Sequence, residues 1–377
     1  MAILFFISIG FIVYTYAVYP LIVYVWGTVF PKKVQTRYEF VPVSIVLAVR
    51  NGEEHIESRL QDLMSQDYPA ELVDIIIVSN GSTDKTVEIA KSIRDPRVRV
   101  IEIEEPVGKA GAINVGVGSA KHDIVVFADV RQSFGEAAIS ELVAVFFDER
   151  VGAVSGELII GRTEESEVKE GVGLYWEYEK LIRRKESEID SVVGATGSIY
   201  AIRRSLYVPL PPQTLLDDFL VPMRIVLQGF RVVFARSAKA YDRTSGTSSH
   251  EFSRKVRTLA GNFQALAFES NLLNPAKNRV FFQMISHKLA RLAVPYFFVL
   301  ALLTNLSLRG TFWDITLAIQ LLFYLAILLR FTPLKKSRYG GIVRVAWTFA
   351  VLNTAAVVGL WVFATGKDKE AWRPDRT

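Results

Sequence analysis

The chain opens on an almost unbroken apolar run from Ile3 to Phe30. At about 1.5 Å per residue, this is long enough to cross a hydrocarbon layer roughly 30 Å thick. The pattern then changes. VSIVLAV (Val43 to Val49), VDIIIVS (Val73 to Ser79), RVRVIEI (Arg97 to Ile103) and DIVVFAD (Asp123 to Asp129) read as strands. Glu53 to Ser65, Lys85 to Ile93 and the segment around Gly111 to Ser119 read as helices between them. Apolar strands alternating with helices predict a parallel sheet covered on both faces. Long apolar runs return at about Leu292 to Leu308, Trp313 to Phe331 and Ile342 to Ala364. Before them, His250 to Glu269 and Asn278 to Arg291 mix apolar residues at helical spacing with basic ones, the pattern of helices lying in a headgroup layer. Packing on the soluble domain is the alternative for the first of the two. The expected division is a membrane helix over 1–31, an α/β domain over 40–250, interface helices over 251–290, membrane helices over 291–365 and a tail over 366–377.

Composition agrees with a split chain, since 50% of the 377 residues are hydrophobic and only 22% are charged. The net charge of +5 gathers near the apolar segments, which points to an anionic membrane surface rather than nucleic acid. The absence of cysteine excludes disulfides, thiolate metal sites and cysteine nucleophiles. Lys32, Lys33 and Arg37 follow the first span, and Lys335, Lys336 and Arg338 lie between the last two. The positive-inside rule therefore sets the soluble domain in the cytoplasm of a multi-pass protein of the cell (inner or plasma) membrane. Four crossings conflict with the tail GKDKEAWRPDRT, which they place outside despite its four basic and three acidic residues. Either the rule is weak there or one apolar segment is re-entrant.

Polar motifs fall where the strands end, the place where ligands collect in such sheets. Asn51 follows the first strand within RNGEE, and VSNGSTD closes the second, with Asn80-Gly81 suited to a tight turn and Ser82 to Asp84 suited to capping the next helix. Gly108-Lys109 opens a helix whose free N–H groups and lysine suit a pyrophosphate. Asp129 ends the most apolar strand, within FADVRQ, and either holds a divalent cation or caps the following turn. Asp217 and Asp218, in LLDDFLVPMR, are adjacent carboxylates whose repulsion raises one pKa. One of them suits a general base, and the alternative is a pair of charges at a helix start.

Taken in order with GATGSIYAIRR, these residues resemble membrane-bound glycosyltransferase family 2, the group that includes cellulose, hyaluronan and poly-N-acetylglucosamine synthases. The resemblance implies a GT-A fold (Rossmann-like, with a mostly parallel sheet), a nucleotide-sugar donor, a divalent metal (Mg2+ or Mn2+) and inversion at the anomeric carbon. It sets Asn51 and Asn80, with Asp84 beside them, in the nucleoside-binding loops, and Lys109 in the lysine position of the GKA…N motif. Asp129 takes the first aspartate of the metal motif, with Arg131 in place of the second. Asp218 takes the place of the catalytic base and Asp217 the glutamate before it. Gly194, Thr196 and Gly197 form the acceptor-side glycine loop, with Asp217 expected on the same side. Arg257, within Arg254 to Thr258, takes the place of the arginine that faces the pyrophosphate, while Arg254 and Thr258 replace the family glutamine and tryptophan. The expected activity is transfer from a UDP-sugar to a growing polysaccharide, the alternatives being a lipid-linked acceptor or an inactive membrane scaffold. Expected partners are the donor, a glycan or lipid-linked acceptor and membrane lipids, with an oligomer or export partner because four spans are few for a channel.

Overall fold

In the computed structural model the described residues are 1–161, 169–242, 248–332 and 340–367. Lys335, Lys336, Arg338 and the tail beyond Lys367 lie outside them.

One sheet organises the soluble part. Its strands are β1 (Val43–Val49), β2 (Val73–Asn80), β3 (Val98–Ile103), β4 (Ile124–Ala128), β5 (Ser133–Phe134), β6 (Val151–Ile160), β7 (Ile199–Arg203) and β8 (Arg231–Asp242), in the order β3-β2-β1-β4-β7-β6-β8-β5. β1 pairs parallel with β2 and β4, and β2 with β3. Side chains alternate between faces, so Ile45, Leu47, Ile75 and Ile77 join one core layer while Val46, Ile76 and Val78 join the other. Both layers are buried, which explains why these strands read as continuous apolar runs.

Beyond β4 the sheet is mixed. β7 runs antiparallel to both β4 and β6, and β5 runs antiparallel to β8, while β6 and β8 are parallel. The sequence reading assigned no strand here. Gly152 and Gly156 interrupt β6, and Cβ atoms at these positions would stand 2.5 Å from Ile225 Cγ2 and 2.7 Å from the Ala238 carbonyl oxygen. The glycines therefore permit close packing where they break the apolar pattern.

Four helices are long and apolar enough to cross a membrane: Ala2–Val29, Phe281–Leu306, Thr311–Phe331 and Val343–Ala364. The first two pack together, with Phe11 stacked on Phe297 at 4.1 Å. Each contains a π-helical turn, at Tyr14–Val18 and Met284–Leu289. The stretch 278–291, expected as a separate interfacial helix, instead supplies the opening turns of Phe281–Leu306. Lys288 and Arg291 lie on a helix that continues into the apolar run, while Arg279 sits in the turn before it.

Two helices join these spans to the sheet. Ser248–Phe268 is the expected amphipathic helix. Its Gly261 lies against Leu215 and Leu216, and Gln264 Oε1 accepts the Leu215 N–H at 2.9 Å, so it packs on the soluble domain. Lys169–Ile189 was not expected. Ile182 and Ile189 pack with Tyr19 and Val23 of the first apolar helix.

The last apolar helix ends beside the soluble domain. Gly359 meets Ala260 and Leu259, and Phe363 stacks on Phe263, all on Ser248–Phe268. Four full crossings would have carried that end to the far side. The packing instead agrees with the charges of the tail.

Candidate active site

On one side of the site, three loops are tied together at the strand ends. Asn51 has a positive φ of 49°, its N–H donates to Ser82 Oγ at 3.2 Å, and its Oδ1 accepts the Thr83 N–H at 2.8 Å. Asp84 accepts from the N–H groups of Glu53 and Thr86, both at 3.0 Å. Burial opposes its ionisation, but these hydrogen bonds outweigh it and hold the carboxyl below its usual range. Asn80 is buried, and its Oδ1 accepts the Val107 N–H at 2.8 Å, fixing the turn that delivers Lys109. The side chains of Asn51, Asn80 and Asp84 thus hold the loops in shape.

Lys109 rises from the opening turn of helix Gly108–Gly118. Its Nζ lies 3.1 Å from Asp129 Oδ1 and 3.4 Å from Asp217 Oδ1. Burial disfavours the ammonium, yet Asp129, Asp217 and Asp218 together raise its pKa above the usual lysine value. At the far end of the same helix, Asn114 Oδ1 accepts the Leu210 N–H at 2.8 Å, anchoring the loop that leads to Asp217.

Asp217 and Asp218 begin helix Asp217–Leu227. Asp217 is buried, and its Oδ2 has no hydrogen-bond partner. Burial, and then the neighbouring Asp217 charge, push the Asp218 carboxyl up to about 6, against the pull of Lys109 and Lys288. The helix contains Pro222, which has no N–H to offer the carbonyl four residues back. That carbonyl belongs to Asp218, and it accepts the Ala195 N–H at 2.7 Å instead. The glycine loop is thereby tied to the carboxylate. Gly194 adopts φ +90°, and a Cβ on Gly197 would stand 2.8 Å from Asp218 Oδ2. Thr196 Oγ1 accepts from Arg183 at 2.9 Å, and the same guanidinium reaches Ser155 Oγ at 2.8 Å.

The structure thus gathers Lys109, Asp129, Asp217, Asp218 and the Gly194–Gly197 loop into one site. Arg131 and Arg257 are exposed side chains. On helix Ser248–Phe268, the positions facing a neighbouring cavity are Lys255, Thr258, Leu259 and Asn262, a stripe that leaves Arg257 out. Sequence reasoning missed Arg183, Lys288, Glu179 and His287. The i, i+4, i+7 spacing of Glu179, Arg183 and Glu186 was an available signal for the first and third of these.

Among the described residues, no three His, Asp or Glu side chains converge to enclose a metal on their own. What is present is one hard-oxygen ligand on a strand end, Asp129, about one-third exposed, with the orphaned Asp217 oxygen near by. This set fits a magnesium-type ion that brings most of its ligands as phosphate and water.

Residues 44–208 match the model of glycosyl transferase family 2. The chain carries a glycosyltransferase family 2 domain. Over 240 residues it is 24% identical to a poly-beta-1,6-N-acetyl-D-glucosamine synthase of Staphylococcus aureus (strain COL), covering 60% of this chain and 56% of that one. The chain thus spans little more than half the length of that relative. It is also 20% identical to the probable glycosyltransferase YdaM of Bacillus subtilis (strain 168), covering 80% of this chain and 74% of that one. Among solved structures, the mannosyltransferase PcManGT from Pyrobaculum calidifontis, in complex with GDP-Man and Mn2+, superposes with a TM-score of 0.74 at 20% identity. The superposition covers 97% of this chain and 99% of that one, so the glycosyltransferase domain and the flanking apolar helices share one fold with it.

Proposed function

We propose that the chain is a membrane-embedded, inverting glycosyltransferase that moves a hexose from a nucleoside-diphosphate sugar, a UDP-sugar in the first instance, to an acceptor hydroxyl. The observation that carries this reading is the setting of Asp218. Its carboxyl, pushed up to about 6, stands between the donor-side group Lys109, Asp129 and Asp217 and a glycine loop that opens on a cavity beside the apolar helices.

In this mechanism Asp218 accepts the acceptor hydroxyl proton as the oxygen attacks the anomeric carbon from the face opposite the leaving diphosphate. The glycine loop gives that hydroxyl room against Oδ2. Lys109 offsets charge on the departing diphosphate, and its carboxylate neighbours keep it protonated. Asp129 would hold the divalent ion, Mg2+ or Mn2+, which supplies Lewis-acid stabilisation of the same charge. The loops built on Asn51, Asn80 and Asp84 present backbone groups to the nucleoside. Lys32 and Lys33, next to the first apolar helix, support a cytoplasmic domain, the side on which nucleotide sugars are made.

The test is Asp218→Asn. Donor binding should persist while transfer falls by about two orders of magnitude or more, the scale of general-base loss. Near-normal turnover would remove Asp218 from the mechanism.

A further inference from the structure

Next to the glycine loop lies a cavity of about 510 Å³, enclosed by helix Lys169–Ile189, the amphipathic helix, the first and second apolar helices and the last apolar helix. Val193 and Ala195 form its wall toward Asp218, while Leu292, Phe349 and Leu352 form its apolar end. Both π-helical turns face it, through Tyr16 on one side and through His287 and Lys288 on the other.

The charges in this space do not balance. Arg183, Lys288 and Arg291 line it, and Glu179 is the carboxylate among the described lining residues. Glu179 is already engaged, with Arg291 on one oxygen and His287 Nε2 at 3.0 Å on the other. The nearby Glu186 is engaged through Oε1, by Tyr19 Oη at 2.5 Å and His287 Nδ1 at 2.7 Å, while its Oε2 has no hydrogen-bond partner. Arg183 donates to the neutral hydroxyls of Thr196 and Ser155 and lies over the Phe234 ring at 5.1 Å. Among the described residues no acidic group comes within ion-pair distance of Arg183 or Lys288. Sheltered cations with no carboxylate in direct contact are unfavourable, so a cavity lined by two of them is complementary to an anion. A neutral glycan would leave both uncompensated. A free inorganic anion would leave the apolar end of the cavity unused.

We propose that this cavity binds an acceptor whose sugar is joined to a lipid through phosphate or diphosphate, with Arg183 and Lys288 holding the phosphate. The proposal rests on the transfer reading above and names its acceptor. The lipid phosphate is not consumed. The acceptor oxygen forms a bond to the donor anomeric carbon, the bond from that carbon to the nucleoside diphosphate breaks with its electron pair leaving on the diphosphate, and the proton passes to Asp218. The cationic pair fixes the linkage on the membrane side of the glycine loop, so that the sugar beyond it points at Oδ2.

The experiment measures binding rather than turnover, on the full-length protein in phosphatidylcholine nanodiscs with UDP and GDP in excess to occupy the donor side. The probes are a short-chain prenyl diphosphate, inorganic pyrophosphate and the uncharged prenyl alcohol. The prenyl diphosphate should bind at least ten-fold more tightly than either of the others, and Lys288→Met should weaken it at least ten-fold. Lys288→Arg, which keeps the charge, should retain binding and guards against a folding defect in the first variant. Pyrophosphate binding equal to that of the prenyl diphosphate would reassign the site to a free anion and overturn the proposal. Equal binding of the alcohol, or an unchanged affinity in Lys288→Met, would also overturn it. A functional Asp218→Asn enzyme would sink the catalytic reading without touching this result, so the two failures are distinguishable.

Discussion

On the donor side of Asp218, the side chains of Asn51, Asn80 and Asp84 are each satisfied by groups of neighbouring loops, while Arg50 Nε and Nη1 beside them have no hydrogen-bond partner. Asn51 closes on Ser82 and Thr83, Asp84 on Glu53 and Thr86, and Asn80 on Val107. On the acceptor side, among the described residues, the guanidinium of Arg183 and the ammonium of Lys288 have no carboxylate within ion-pair distance. In the first region these three side chains brace the loops. The second holds stored demand for an anion and for a proton. The difference separates residues whose loss weakens the fold from residues whose loss weakens the reaction.

That separation breaks most visibly at Gly197. Gly197→Ala sets a methyl group against Asp218 Oδ2 where 2.8 Å is available. Transfer should fall about a hundred-fold while donor binding and melting temperature stay near wild type, because misplacement near the reacting atoms costs rate before it costs stability. A parallel loss of nucleotide binding would mean that the loop serves the donor as well.

The metal prediction probes the exposed edge of the donor side. Activity should require millimolar magnesium or manganese, fall in excess chelator, and fall about ten-fold or more in Asp129→Ala. Activity undiminished in chelator would remove the ion from Asp129 and leave Lys109 as the partner of the diphosphate.

The pH profile sharpens the acceptor side. With Asp218 pushed up to about 6, turnover should drop about ten-fold per pH unit below that value and level off above it. The stability consequence has the opposite sign. A carboxyl raised from its ordinary value of about 4 favours the protonated folded state, so its contribution is present at low pH and lost as pH rises from about 4 through about 6. Thermal denaturation of wild type against Asp218→Asn should therefore diverge in that window, with the variant the more stable above it. Coincident curves would show that the carboxyl titrates normally.

The smallest effect on turnover per folded molecule is expected at Asn80. Asn80→Ala leaves the Val107 N–H without its partner and should cost about 1–3 kcal/mol of stability. Once folded, the variant should bind donor nearly as well as wild type. A large loss of nucleotide affinity at unchanged stability would place the Asn80 side chain on the ligand.

What the sequence shows follows the same division. β1 to β4 and their loops were legible because both sheet faces are covered, which writes each strand as an apolar run with its polar motif at the end. Asp129 was legible for the same reason, and Asp217 and Asp218 were legible as adjacent carboxylates ahead of an apolar helix. Helix Lys169–Ile189 was not. Its contacts with His287 and Arg291 bridge more than 100 positions, and its charges look like those of a solvated surface until the partners are known. Arg257 was chosen by motif position, yet the cavity-facing stripe runs through Lys255 and Asn262. The direction of the last apolar helix was hidden because hydropathy reports length and polarity and says nothing about which neighbour a helix follows.

The two π-helical turns, at Tyr14–Val18 and Met284–Leu289, give the apolar helices a property that length alone does not describe. They touch through Tyr14 Oη and Ser286 Oγ, 2.6 Å apart. A π turn holds one residue more than the α turn it replaces, and each residue of an α-helix advances the side chains by about 100° around the axis. Removing one residue from either turn would therefore act as a rotation more than a shortening, swinging Tyr16, or His287 and Lys288, toward lipid or into a neighbouring helix. The pair works like the cut of a key, tolerant of added length in the loop at 307–310 but not of a change of phase at this depth.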